Sequence, residues 1–166
     1  MSASYEERSL KVKGKNEVSR VLYQPKITVK VENNKIVLEA KKATQREKRM
    51  IYAMKAHAKN LFKGAEQGHT YKLKVCSGHF PMNISISNGV LTVKNFLGEA
   101  VPRTLKLKQG ADVKLEGDII TVTANIKDIA GQQAGEIEKL TRITNRDRRI
   151  FQDGLYIIEK DGRPVS

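Results

Sequence analysis

A self-similarity at a spacing of 84 residues, about half of a 166-residue chain, constrains the fold more than any other feature. Val29-Lys30-Val31-Glu32 recurs as Val113-Lys114-Leu115-Glu116, and without a gap Ile36-Val37-Leu38-Glu39-Ala40 lines up with Ile120-Thr121-Val122-Thr123-Ala124. Apolar residues alternate in these segments, as half-buried strands require. Between them lie Asn33-Asn34 and Gly117-Asp118, residue types that tolerate the positive φ of a two-residue hairpin turn. A helical pattern follows each hairpin. Agreement of both register and sequel favours a duplication over two unrelated hairpins.

The first helix is predicted from about Thr44 to Ala65, with Thr44 as N-cap and Glu47 completing a capping box. At 100° per residue, Met50, Met54, His57, Ala58, Leu61 and Ala65 share one face, fit to cover a sheet. Lys48, Tyr52, Lys55, Lys59 and Lys63 share another, which cannot be buried. The second helix is expected from about Asp128, its cap, to Ile143, with Ile129, Ala130, Ile137 and Leu140 inward.

Short alternating strands surround the helices. Tyr71, Leu73 and Val75 point one way; Ile84 and Ile86 lead through an Asn88-Gly89 turn into Val90–Val93; Leu105 and Leu107 form a further run. One helix per set of strands covers one sheet face, so the class is α+β: two tandem duplicated small domains, each a mainly antiparallel sheet with one helix packed on one face. Gly78 and Pro81 interrupt the pattern, so the linker is expected near Ser77 to Asn83, with domains at residues 1–78 and 79–166.

Thirty-one Lys and Arg against 18 Asp and Glu leave a net charge of +13, and such self-repulsion calls for a polyanionic partner. No apolar stretch suffices for a bilayer span, and residues 1–13 have no apolar core of the signal-peptide kind, so a soluble intracellular chain without a membrane partner is expected. The single Cys76 has no partner for an internal disulfide, which fits a reducing compartment. The excess charge is uneven: residues 1–84 hold 18 basic and 7 acidic side chains, residues 85–166 hold 13 and 11.

Catalytic and metal chemistry find little support. Cys76 and His79 are spaced Cys-x-x-His without a second pair; His57 reads as a helix–sheet boundary residue and Cys76 as a small strand residue. No Gly-x-Ser-x-Gly elbow occurs, and Gly14-Lys15-Asn16 lacks the upstream glycine and the Ser or Thr of a phosphate loop. Glu136 and Glu138 face different directions on a helix. No enzyme, cofactor, metal or small-molecule substrate is therefore expected. The basic residues carry more information: from Lys41 to Lys63 eight cations face the single acid Glu47, so intrahelical pairing cannot account for them. With only 5% aromatic residues, docking on the backbone and shape of a folded RNA is favoured over base stacking along single strands.

Four motifs in order then carry a resemblance: Ser77-Gly78-His79-Phe80-Pro81-Met82; Asn95-Phe96-Leu97-Gly98-Glu99 with Pro102-Arg103; Gly131-Gln132-Gln133-Ala134; and Asn145-Arg146-Asp147-Arg148-Arg149 followed by Phe151-Gln152-Asp153-Gly154-Leu155-Tyr156-Ile157. From about Lys13 to Lys160 the chain resembles the archaeal form of the ribosomal large-subunit protein six family. The resemblance implies a duplicated α+β fold and a non-catalytic, cytoplasmic, ribosome-bound protein. It further implies contact with large-subunit rRNA near the sarcin–ricin loop and stalk base, among neighbouring ribosomal proteins and close to where translational GTPases dock. The main anchor it implies is the second domain with its C-terminal extension: Arg142, Arg146, Arg148, Arg149, Tyr156, Lys160 and Arg163. Lys48, Lys55 and Lys59 of the first helix are a further candidate contact. Arg146, Arg148 and Arg149 are expected to fork onto phosphates, with Asp147 orienting them. The family's longer first hairpin and Gly-Pro-Lys-Gly turn are missing here, so the first strand is expected to be short or absent. The rival readings are a general architectural nucleic-acid binder, such as a DNA-compacting protein, and, more weakly supported, an RNA-processing enzyme.

Overall fold

In a computed structural model that describes residues 2–32 and 35–165, the chain is α+β and forms two compact units. One comprises Met1–Gly68 with Asn125–Lys127, the other His69–Ala124 with Asp128–Ser166. No described helix is long and apolar enough to cross a membrane.

In the first unit, β1 (Ser2–Glu6), β2 (Ser9–Lys13) and β3 (Glu17–Val21) form an antiparallel meander. The first strand, expected to be short or absent, is present over five residues, because Glu7 and Arg8 both take positive φ and close a tight turn onto β2. A second sheet pairs β4 (Thr28–Glu32) with β5 (Lys35–Glu39); the expected Asn33-Asn34 turn lies outside the described residues. Helix α1 (Gln45–Glu66) starts at its Thr44 cap, where the Thr44 amide donates to the Glu47 carboxylate at 2.9 Å and the two side chains also bond. Its Met54, Ala58, Leu61 and Ala65 are buried with Leu10, Val12 and Val18 of the meander and with Leu22 just after it, while Lys48, Lys55 and Lys59 face outward as the periodicity requires.

The second unit repeats this plan. A meander of β7 (Asn83–Ser87), β8 (Val90–Lys94) and β9 (Arg103–Lys106) precedes the hairpin of β10 (Ala111–Glu116) and β11 (Ile119–Ala124), then α2 (Lys127–Leu140). The two hairpins share one register: Val29 faces Leu38 and Val31 faces Ile36, as Val113 faces Val122 and Leu115 faces Ile120. The meanders correspond too, at a spacing of 81: Leu10 and Val12 match Leu91 and Val93, all four fully buried.

The second unit adds β6 (His69–Cys76), β12 (Gly154–Lys160) and β13 (Arg163–Pro164), giving a five-stranded sheet in the order β10-β11-β6-β12-β13. Strand β6 is central to that sheet, so the division falls at 68/69 rather than at the expected 78/79, and residues 77–82 form a loop inside the second unit. Helix α2 buries Ala130, Gln133, Ala134 and Ile137; Asp128 sits in its first turn rather than capping it, and it stops at Leu140, short of the expected Ile143. The expected C-terminal extension is largely sheet, since β12 pairs along β6 from Gly154 with Cys76 to Lys160 with Tyr71.

Candidate nucleic-acid interface

Between α2 and β12 the chain has no regular structure, yet residues 141–153 are anchored at several points. At the helix end, the Arg103 guanidinium donates to the carbonyls of Leu140 (2.8 Å) and Arg142 (3.3 Å), satisfying groups that a helix C-terminus leaves unpaired. The same guanidinium forks onto the Glu99 carboxylate at 2.6 and 2.8 Å and lies 4.3 Å over the Phe96 ring. Its hydrogen bonds hold Glu99 below the usual carboxylate range. Buried Thr141 accepts from the Leu155 amide through its hydroxyl at 2.9 Å, fastening the start of the segment to β12. Ile143 is also buried.

The middle of the segment is a turn around Asp147. Its carbonyl accepts from the amides of Ile150 and Phe151, and its carboxylate accepts from the Arg149 amide at 2.9 Å and the Arg149 guanidinium at 2.8 Å. The Arg149 side chain lowers the Asp147 pKa and has its own raised in turn. Arg146 lies 5.0 Å over the half-buried Phe151 ring, whose centroid is 4.9 Å from that of His79. At the far end, Asp153 is 1% exposed and its carboxylate accepts from the amides of Gly78 and His79. Burial pushes its pKa up, but these amides and the His79 ring more than offset it, leaving it lowered.

Four arginines, Arg142, Arg146, Arg148 and Arg149, are exposed on this anchored segment. Arg148 and Tyr156 border two adjoining depressions, one flanked by Ser77–His79 and Arg149, the other by Lys139 and Arg142. The Tyr156 hydroxyl donates to the Asp153 carbonyl at 3.4 Å, and burial raises its pKa. The structure thus brings Arg142, Arg148, Arg149 and Tyr156 together, while Arg146, on the same segment, lies over the Phe151 ring. Lys160 and Arg163 face each other across β12 and β13, about 13 Å along the strand from Tyr156 at the usual rise per residue. Lys48, Lys55 and Lys59 are exposed on α1 of the first unit, with Tyr52 61% exposed among them.

Sequence reasoning passed over Lys74, which is exposed and directly opposite Tyr156 in the β6–β12 ladder, so both side chains rise from one sheet face. The alternation that turned Leu73 and Val75 inward also turned Lys74 outward, but its neighbour in space comes from a strand 82 residues later. Arg103 and Asp153 were read only as parts of motifs; their contacts show that the motifs meet one another in the fold. Cys76 ends β6 as an unpaired thiol, and no group of three potential metal ligands occurs among the described residues.

No family model matches the chain. Among curated proteins it is similar to the large ribosomal subunit protein uL6 of Methanococcus vannielii, 39% identical over 150 residues, covering 90% of this chain and 82% of the relative. The large ribosomal subunit protein uL6 of Natronomonas pharaonis is 35% identical over 164 residues, covering 98% and 93%. That of Methanobrevibacter smithii is 39% identical over 151 residues, covering 90% and 85%.

Proposed function

The chain belongs to the family of large ribosomal subunit protein uL6, and on that premise we propose that it binds large-subunit rRNA through the arginine segment between α2 and β12. It is a structural, non-enzymatic constituent of the large ribosomal subunit. In our reading it docks near the sarcin–ricin loop and stalk base, and supports the region where translational GTPases bind beside neighbouring ribosomal proteins.

One observation carries the RNA reading: four exposed arginines stand on a segment fixed at both ends, with Asp147 its only exposed acid. Guanidinium groups pair with two phosphate oxygens at once, and holding them in place beforehand reduces the entropy lost on docking. Arg148, which makes no hydrogen bond or ion pair among the described residues and meets Tyr156 only electrostatically, is the natural first phosphate contact, with Arg142 and Arg146 on the same segment. Arg149 is oriented by Asp147 and engages a second phosphate by sharing its fork. Tyr156 adds a ring face, and Lys74 a point charge on the same side. Lys160 and Arg163 reach RNA along the same sheet. Lys48, Lys55 and Lys59 contribute long-range attraction from the first unit.

The test is titration of an rRNA fragment containing the sarcin–ricin loop. If about six phosphates are contacted, affinity should fall on the order of a thousandfold between roughly 50 and 200 mM salt. Replacing Arg146, Arg148 and Arg149 together by Ala should weaken binding without unfolding either unit; unchanged binding would remove this segment from the interface. Comigration of the tagged chain with large subunits through a high-salt wash tests the assignment in extract.

A further inference from the structure

The duplication exposes a difference between its two copies at one sheet edge. In the second unit β11 is flanked on its far side by β6: Ile120 pairs with Leu73, Val122 with Tyr71 and Ala124 with His69. In the first unit no described strand flanks the corresponding edge, and β5 pairs with β4 alone. The register of the two hairpins is the same, so the counterparts of Ile120 and Val122 on β5 are Ile36 and Leu38. In an antiparallel ladder alternate residues direct both backbone groups to the same side. The N–H and C=O groups that Ile120 and Val122 turn toward β6 therefore correspond, on β5, to an outward row from Ile36 and Leu38.

Burial follows the same difference. Ile120 and Val122 are 0% exposed beneath the added strand, whereas Ile36 and Leu38 are only half-buried. An unpaired edge of this kind is a template for another strand unless charge or proline blocks it. Lys35 and Glu39 bracket β5, but Ile36-Val37-Leu38 between them contains neither.

We propose that the free edge of β5 receives an extended segment of another protein, added as an antiparallel strand with apolar residues at alternate positions. The chain displays the pattern that fits: β6, with Tyr71, Leu73 and Val75 alternating with Thr70, Lys72 and Lys74, covers the same edge in the other copy. RNA is a poor occupant, because phosphates only accept hydrogen bonds and the edge offers alternating donors and acceptors. A second copy is disfavoured by the repulsion of two chains at +13 each. This assignment stands apart from the arginine segment, and loss of rRNA binding would leave it untouched.

The experiment titrates the full, RNA-free chain with a fluorescein-labelled peptide of the sequence from Gly68 to Val75, alongside a peptide of the same composition in scrambled order. Binding should be saturable for the first only. Amide hydrogen exchange of Ile36 and Leu38 in the unsubstituted chain should slow at least about tenfold on saturation. Leu38→Pro removes one outward N–H at a position where the β4 ladder does not use it, and should weaken the peptide at least about tenfold. The exchange measurement stands without the variant, should it fail to fold. Absence of saturable binding, equal binding of the scrambled peptide, protection at a different strand, or protection of Ile36 and Leu38 by self-association without peptide would each overturn the proposal.

Discussion

The backbone amide of His79 donates to the carboxylate of Asp153 across 3.1 Å and 74 residues of chain, joining the loop after β6 to the residue before β12. A neighbouring bond from the Gly78 amide ends on the same carboxylate. Two motifs distant in sequence are thereby one structural element. Asp153→Ala leaves two amides without an acceptor in a buried site, so it should destabilise the second unit by about 1–3 kcal/mol. Urea unfolding followed by circular dichroism measures this. The variant should also weaken rRNA binding, because the arginine segment loses its far anchor.

Acid should loosen the first unit through Glu47. Hydrogen bonding from the Thr44 side chain, then from its backbone, holds this carboxyl at about 2, against 4.5 when unperturbed. The unfolded chain takes up the proton at higher pH than the folded one, so the stabilisation is complete above pH 4.5. It is lost as pH falls toward 2. Glu47→Gln should flatten that acid limb. An unchanged slope of stability against pH between those values would show that Glu47 is not its source.

Arg103 joins three groups that a lysine cannot reach together: the Glu99 carboxylate, the Phe96 face and the last carbonyls of α2. Arg103→Ala should cost about 2–3 kcal/mol of second-unit stability. Arg103→Lys should recover less than half of that loss, since an ammonium lacks the planar fork. Thermal unfolding of the two variants distinguishes this from a simple charge effect, for which lysine would restore everything.

Salt titrations should separate the arginines. Arg148→Ala and Lys74→Ala should each lower the slope of log affinity against log salt by about one. Arg149→Ala should lower affinity less than Arg148→Ala, because Arg149 gives up part of its bond to Asp147 on reaching a phosphate. Equal losses at 148 and 149 would contradict a role for that ion pair.

Gly14 approaches α1 so closely that a Cβ would lie 2.8 Å from the Ala65 carbonyl oxygen, and the Asn16 amide donates to that same oxygen. Gly14→Ala must shift backbone against backbone and should cost about 1–3 kcal/mol in the first unit. An unfolding midpoint equal to that of the unsubstituted chain would refute the clash.

The hairpins and helices were legible because their determinants are local: alternation, turn residues and the Thr44–Glu47 box all lie within a few positions of one another. The meander repeat escaped notice because its turns differ. Asn88-Gly89 announces a positive-φ pair, whereas Glu7-Arg8 adopts one without the usual residues. The alternation of Tyr71, Leu73 and Val75 marks β6 as a strand, yet its place in the second unit depends on pairing with β11 and β12, partners more than forty residues away. The arginines stood out by composition, but the anchors that fix them, Arg103, Thr141 and Asp153, reveal themselves only through long-range hydrogen bonds.

The central position of β6 has a temporal side. As the polypeptide emerges during synthesis, every element of the first unit's two sheets and of α1 is available once residue 66 has appeared. Strand β6 follows at once, but one of its flanks waits for Ile119 and the other for Gly154. The second sheet therefore closes only once the residues from Gly154 onward are made, and β6 waits from residue 76 to residue 119 for its first neighbour.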